Sequence, residues 1–183
     1  MRRFQLLVAV GVLLTVATLA FGGKAGEVPS CATGSVVELE LARTEEKAVE
    51  LIGPCDEAGL DVLRDGLRAD TYGFAPLYVL SVAFWCLLAA RRLSWSSDRR
   101  RQVVLAAAVA VVVAGGFDLF ENHFLGEVVD AAGASSSIGP AFAVSVVKWV
   151  LVIVAVPTSA VAMIRCIRSA VGGRGPEGSA TPA

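Results

Sequence analysis

A lysine and a group of carboxylates occupy places in this chain where hydrocarbon should surround them. Lys148 stands about seven residues into the apolar run 141–164, roughly 11 Å along a helix at 1.5 Å per residue. Asp118, Glu121 and Asn122 close another apolar run, in the stretch FDLFENHFL. An Asp or Lys at the centre of a membrane helix costs roughly 2.5 to 3.5 kcal/mol on insertion scales unless a partner or water compensates. Asp118, Glu121 and Asn122 fall at i, i+3 and i+4, so a helix carries all three on one inward face and leaves Phe117, Phe120 and Phe124 for lipid or neighbouring helices. Asp118 and Lys148 belong to the same half of the bilayer, so an ion pair or water-bridged contact between their helices is expected, which lowers the desolvation cost of each. Asp70, Phe74 and Tyr78 recur at i, i+4 and i+8 and bring a second carboxylate and a phenol toward the same vestibule.

Three kinds of chemistry suit such a cluster. It fixes helix register, as buried polar groups do in bundles. Alternatively it binds a cation, a proton or a polar headgroup. As an enzyme site it would use Asp118 or Glu121 as a base with Lys148 as electrostatic stabiliser, although no nucleophile accompanies them. His123, the single histidine, follows Glu121-Asn122, but no ligand spacing joins it to them and no metal is expected. The four cysteines contain no C-x-x-C pair, which argues against zinc and against a thiol redox motif. Cys31 and Cys55 share one polar loop and are candidates for a disulfide if that loop is exported, whereas Cys86 and Cys166 read as buried thiols. Gly115-Gly116 lies inside a span and suits helix contact better than a phosphate cradle, so no nucleotide or other cofactor is implied. Trp95, Trp149 and Tyr72 read as interface or lipid-facing aromatics.

The elements that must position these residues follow from hydropathy. With 55% hydrophobic residues and a mean hydropathy of +0.67, the 183-residue chain is too apolar for a soluble domain. Four runs, 4–22, 72–90, 103–121 and 141–164, approach the ~20 residues that cross a ~30 Å hydrocarbon core. The first also resembles a secretory signal, but its apolar stretch exceeds a usual signal core, and an uncleaved anchor is the preferred reading. Arg2 and Arg3, then Arg91, Arg92 and Arg99 to Arg101, then Arg165, Arg168 and Arg174 mark alternate ends of successive spans. The positive-inside rule makes those ends, both termini included, cytoplasmic. The acid-rich loop 23–71 then lies outside. It holds helical patches at 44–52 and 56–69, the second amphipathic through Leu60, Leu63 and Leu67, and a piece 36–42 that is either a short strand or the approach to the first patch. The amphipathic patch either lies on the membrane, caps the bundle or runs into the second span, where Pro76 kinks the helix or marks its first turn. Residues 171–183 read as a disordered cytoplasmic tail. The net charge of −1 gives no reason to expect nucleic acid.

The layout resembles an uncharacterised family of small bacterial four-transmembrane-helix proteins. The likeness rests on Glu38-Leu39-Glu40-Leu41-Ala42 with 44–52 after the first span, Asp70 with Phe74 and Tyr78 entering the second, Asp118-x-x-Glu121-Asn122 ending the third, and Lys148 in the fourth. It covers nearly the whole chain before the tail. The resemblance implies that Asp118, Glu121, Asn122 and Lys148 form one site, and it implies no substrate. The expected architecture is all-α: an integral membrane bundle of four transmembrane helices, residues 1–170, with a small helical extracytoplasmic loop region. The leading functional reading is a non-enzymatic accessory, binding or small transport component. Its partners would be membrane lipids and either further copies of itself or another membrane protein. The alternative is a membrane-embedded enzyme acting on a lipid or amphiphile from the outer leaflet.

Overall fold

The computed structural model describes residues 2–172; the tail expected after them lies outside the described residues. Helix α1 spans Arg2–Ala25, followed by three short helices, α2 (Val36–Glu40), α3 (Glu45–Ile52) and α4 (Glu57–Ala69). A π-helical turn, Asp70–Phe74, joins α4 without interruption to α5 (Ala75–Arg92). Helices α6 (Asp98–Asp130) and α7 (Ile138–Val171) complete the chain, and no strand occurs among the described residues. Four helices are long and apolar enough to cross a membrane: α1, the continuous helix Glu57–Arg92, α6 and α7. The protein is a multi-pass helical membrane bundle.

Each short helix starts where a side chain satisfies a free backbone N–H. Ser35 caps α2 by accepting from the Glu38 amide, and the Glu38 carboxylate accepts from the Ser35 amide at 2.6 Å, a reciprocal box that settles 36–40 as helix and not strand. Thr44 and Asp56 cap α3 and α4 in the same way through Lys47 and Gly59. The π-turn has a covalent cause nearby. Pro76 has no N–H to give to the carbonyl one turn back, and just before it the Ala75 N–H reaches five residues back to Asp70, widening the helix by one residue. The amphipathic patch therefore runs into the second span, and Pro76 sits in the first turn of α5.

At 33 and 34 residues, α6 and α7 are each about 50 Å long, well beyond a ~30 Å hydrocarbon core. Their projecting ends carry the cap. Leu39 of α2, Leu51 and Ile52 of α3 and Leu60 and Leu63 of α4 are buried together with Leu125, Val128, Val129 and Ile138 of the long helices. A Cys31–Cys55 disulfide, Cα–Cα 5.0 Å, closes the loop that holds α2 and α3. Arg64 ties α4 to the end of α6 through Asp130 at 2.8 Å and binds Glu57 and Asp61 as well.

A second apolar cluster lies between the spans, around Val8, Trp85, Cys86, Ala89, Val111 and Cys166. Close approach is achieved with small residues, as is usual where lipid competes for apolar contact. Gly11 of α1 is one case: a Cβ there would stand 2.6 Å from the Trp85 ring. The connection from α6 to α7 is a Schellman turn, with Gly133 N–H donating to Val128 and Ala132 N–H to Val129. It places Ala132 at φ 50° and Gly133 at φ 92°.

Candidate functional site

Lys148 projects from α7 into the bundle with its side chain 8% exposed. Its ammonium lies 3.1 Å from Asp118 Oδ1 and in contact with Glu121 Oε2, both on α6, and 3.3 Å from Glu40 Oε2 at the end of α2. The contact expected between α6 and α7 is thus a three-carboxylate cage. Glu121 is wholly buried, and its other oxygen accepts from Ser145, one turn before Lys148 on α7. Glu40 also accepts from the indole N–H of Trp149 at 3.0 Å. Two neighbouring residues of α7, Lys148 and Trp149, therefore share one carboxylate oxygen of the cap.

Asn122 turns to the opposite flank of the same face. Its amide donates to Asp70 Oδ2 at 2.7 Å and to Thr71 Oγ1 at 3.1 Å, both in the π-turn. The widened turn gives Asp70 its position beside α6; wide turns of this kind occur often at functional sites. Phe74 and Tyr78 pack with ring centroids 5.4 Å apart. Tyr78 is 8% exposed, and its hydroxyl makes no well-formed hydrogen bond among the described residues, although the Asp118 carboxylate stands close enough to interact with it.

A cavity of about 470 Å³ opens beside the cluster. Its polar end is lined by Glu40, Asp70, Tyr78, Asp118, Asn122 and Lys148, so five of the six residues singled out in the sequence border it and Glu121 stands behind them. The remainder is mostly apolar, between Thr18 and Leu19 of α1, Val82 and Trp85 of α5, and Val152 and Val156 of α7. Helix α1 packs chiefly on α5 and meets α7 only lightly, so the space lies as a groove between α1 and α7. From Lys148 to Met163, which lines the far end, is about 22 Å of helix, longer than the ~15 Å one leaflet contributes to the hydrocarbon core.

Sequence reasoning did not place Glu40, Ser145, Thr71 or Trp149 in this site. Glu40 had a signal: once Ser35-x-x-Glu38 is read as a capping box, Glu38 is occupied and Glu40 remains as the free acid of the helix. Ser145 had one also, lying three residues before Lys148 on the same helical face. Trp149, read as an interface aromatic, is instead a half-buried donor to Glu40. His123 is exposed, 3.9 Å from Glu127, and takes no part in the cluster. Cys86 and Cys166 are buried free thiols in the core between the spans.

Outside the spans, the Ser35 backbone N–H and hydroxyl hold the Glu38 carboxyl below its usual range. Ser145 is wholly buried and does not border the cavity, so its hydroxyl faces no substrate and acts as a support for Glu121. What the arrangement can do is present acceptor oxygens, a phenol and aromatic walls to the end of an apolar groove. No family model matches the chain, and no match is found among the curated proteins or the solved structures.

Proposed function

We propose that the protein binds one membrane amphiphile, taking its apolar part into the groove between α1 and α7 and its polar end onto the cluster around Lys148. The observation that carries this reading is the continuity of the two: the same cavity is apolar along α7 and ends on buried ionisable groups. Its volume falls within the ~300–1,000 Å³ range of small-molecule sites, which suits one chain better than a whole two-chain lipid. The light contact between α1 and α7 supports entry from the bilayer between these two helices.

The arginines at 2–3, 91–92, 99–101 and 165–168 gather at the end of the bundle away from the cap, which supports cytoplasmic termini and an external cap. The disulfide supports the same orientation, because such bonds persist in oxidising compartments. The groove's polar end then belongs to the outer leaflet, in the plasma membrane of a bacterial cell.

The enzyme reading shares this site and is favoured by the place of Asp118 in the cavity lining. Binding without turnover ranks first because Ser145, the serine bonded to the buried Glu121, is sealed from the cavity. The test is to extract lipids from the purified full-length protein and from an Ala160→Trp variant, whose indole fills the groove from a half-buried position on α7. A single-chain amphiphile retained at near one per protein by the parent and lost by a variant of equal melting temperature is the expected result. Equal retention by both would overturn the proposal.

A further inference from the structure

Resting on that binding reading, the juxtaposition of Asp70, Asp118 and the unpartnered Tyr78 hydroxyl at the groove's polar end leads us to propose that the ligand is an amphiphile with a protonated primary amine. The first argument is charge. Among the described residues Lys148 is the only cation at the cluster, and Glu40, Asp118 and Glu121 already surround its ammonium. With Asp70 added, four carboxylates face one lysine. An anionic headgroup would meet a lysine already enclosed by carboxylates and a surplus of like charge, which is costly at low dielectric. A cationic one removes that surplus.

The second argument is hydrogen bonding. Asp118 meets Lys148 through Oδ1 and Asp70 meets Asn122 through Oδ2, so each keeps a second oxygen as an acceptor. Tyr78 borders the same space with its hydroxyl unpartnered and its side chain more than nine-tenths buried. The end of the cavity that Asp70, Asp118 and Tyr78 border thus offers as many acceptor oxygens as a primary ammonium has N–H donors. The rings of Phe74, Tyr78 and Trp149 border the cavity too, and aromatic faces attract cations. A hydroxyl headgroup could use one or two of these acceptors but leaves the charge uncompensated.

Trp85 and Trp149 both line the cavity, which supplies the readout. The full-length protein, in phosphatidylcholine nanodiscs free of other amines, is titrated with three brominated single-chain probes of equal length that end in a primary amine, an alcohol or a carboxylate. Tryptophan quenching is followed for the parent, for Tyr78→Phe, for Asp118→Asn and for the groove-filling Ala160→Trp. Melting temperatures serve as the folding control. The amine is expected to saturate about tenfold or more tightly than the alcohol, since charge-assisted hydrogen bonds are the stronger kind. Tyr78→Phe and Asp118→Asn should narrow that gap several-fold, weakening the amine more than the alcohol. Should all three probes bind alike, or the carboxylate bind best, with Ala160→Trp abolishing all of them, the groove binds amphiphiles and the amine assignment is wrong. If no probe saturates, or Ala160→Trp binds as the parent does, the binding reading itself fails. If both point variants fail to fold, the parent's ranking of the probes still decides.

Discussion

Removing the Lys148 charge exposes what the cage costs. Lys148→Met leaves Asp118, Glu121 and Glu40 facing one another in a buried place, and breaking a buried pair from one side typically costs ~3–5 kcal/mol. Thermal unfolding in detergent should show a large drop for that variant, with partial recovery in the Lys148→Met, Asp118→Asn double variant, because fewer carboxylates are left uncompensated. If the two changes simply add, Asp118 and Lys148 do not share an environment. Most of this site was legible in the sequence because lipid is an intolerant solvent: a Lys or Asp inside an apolar run demands a partner, and the helical period says which face must hold it. Glu40 was not, since an acid in a polar loop breaks no rule. Only tertiary packing of α2 on α7 brings it 3.3 Å from Lys148.

Local backbone geometry makes its own predictions for the elements. Ala132 holds the left-handed position of the Schellman turn, where a Cβ is crowded, so Ala132→Gly should raise stability by about 1 kcal/mol. Gly133 cannot be changed in the same way: beyond its φ of 92°, a Cβ would stand 2.6 Å from the Val49 amide nitrogen. Gly133→Ala should lower the melting temperature and loosen α3 in hydrogen exchange. Helix α2 carries a pH dependence. The Glu38 carboxyl titrates lower in the folded cap than the usual 4.5, so its contribution is fully present above that value and is lost as pH falls through the lowered one. Replacing Ser35 with Ala should remove this part of the acid sensitivity, read as amide protection of α2 across a pH series. Span positions were plain from hydropathy, yet the π-turn was not. Pro76 announced a disturbance, whereas the form it took, one added residue with Asp70 inside it, depends on how α4 and α5 each pack against α6.

At the scale of the whole molecule, the cap packs on the projecting ends of the bundle and is closed on itself by a covalent bond. Joining residues 24 apart removes unfolded-state entropy of about 3 to 4 kcal/mol in the chain-entropy account, so Cys31→Ser should lower stability by an amount of that order. Because Glu40 lies in the closed loop, the same variant should weaken ligand retention. Reporter fusions after residue 97 and after residue 130 are expected to read opposite sides of the membrane, cytoplasmic and external in turn. A common side for both would refute the proposed orientation. The order of the polar residues along the chain has a further consequence. Glu40, Asp70, Asp118 and Glu121 all leave the ribosome before Lys148, so a chain that ends between Glu121 and Lys148 carries all four acids without their counter-ion. The fourth hydrophobic segment delivers the neutralising group last, and a polypeptide stopped short of it would present a cellular protease with an unfinished, self-repelling assembly.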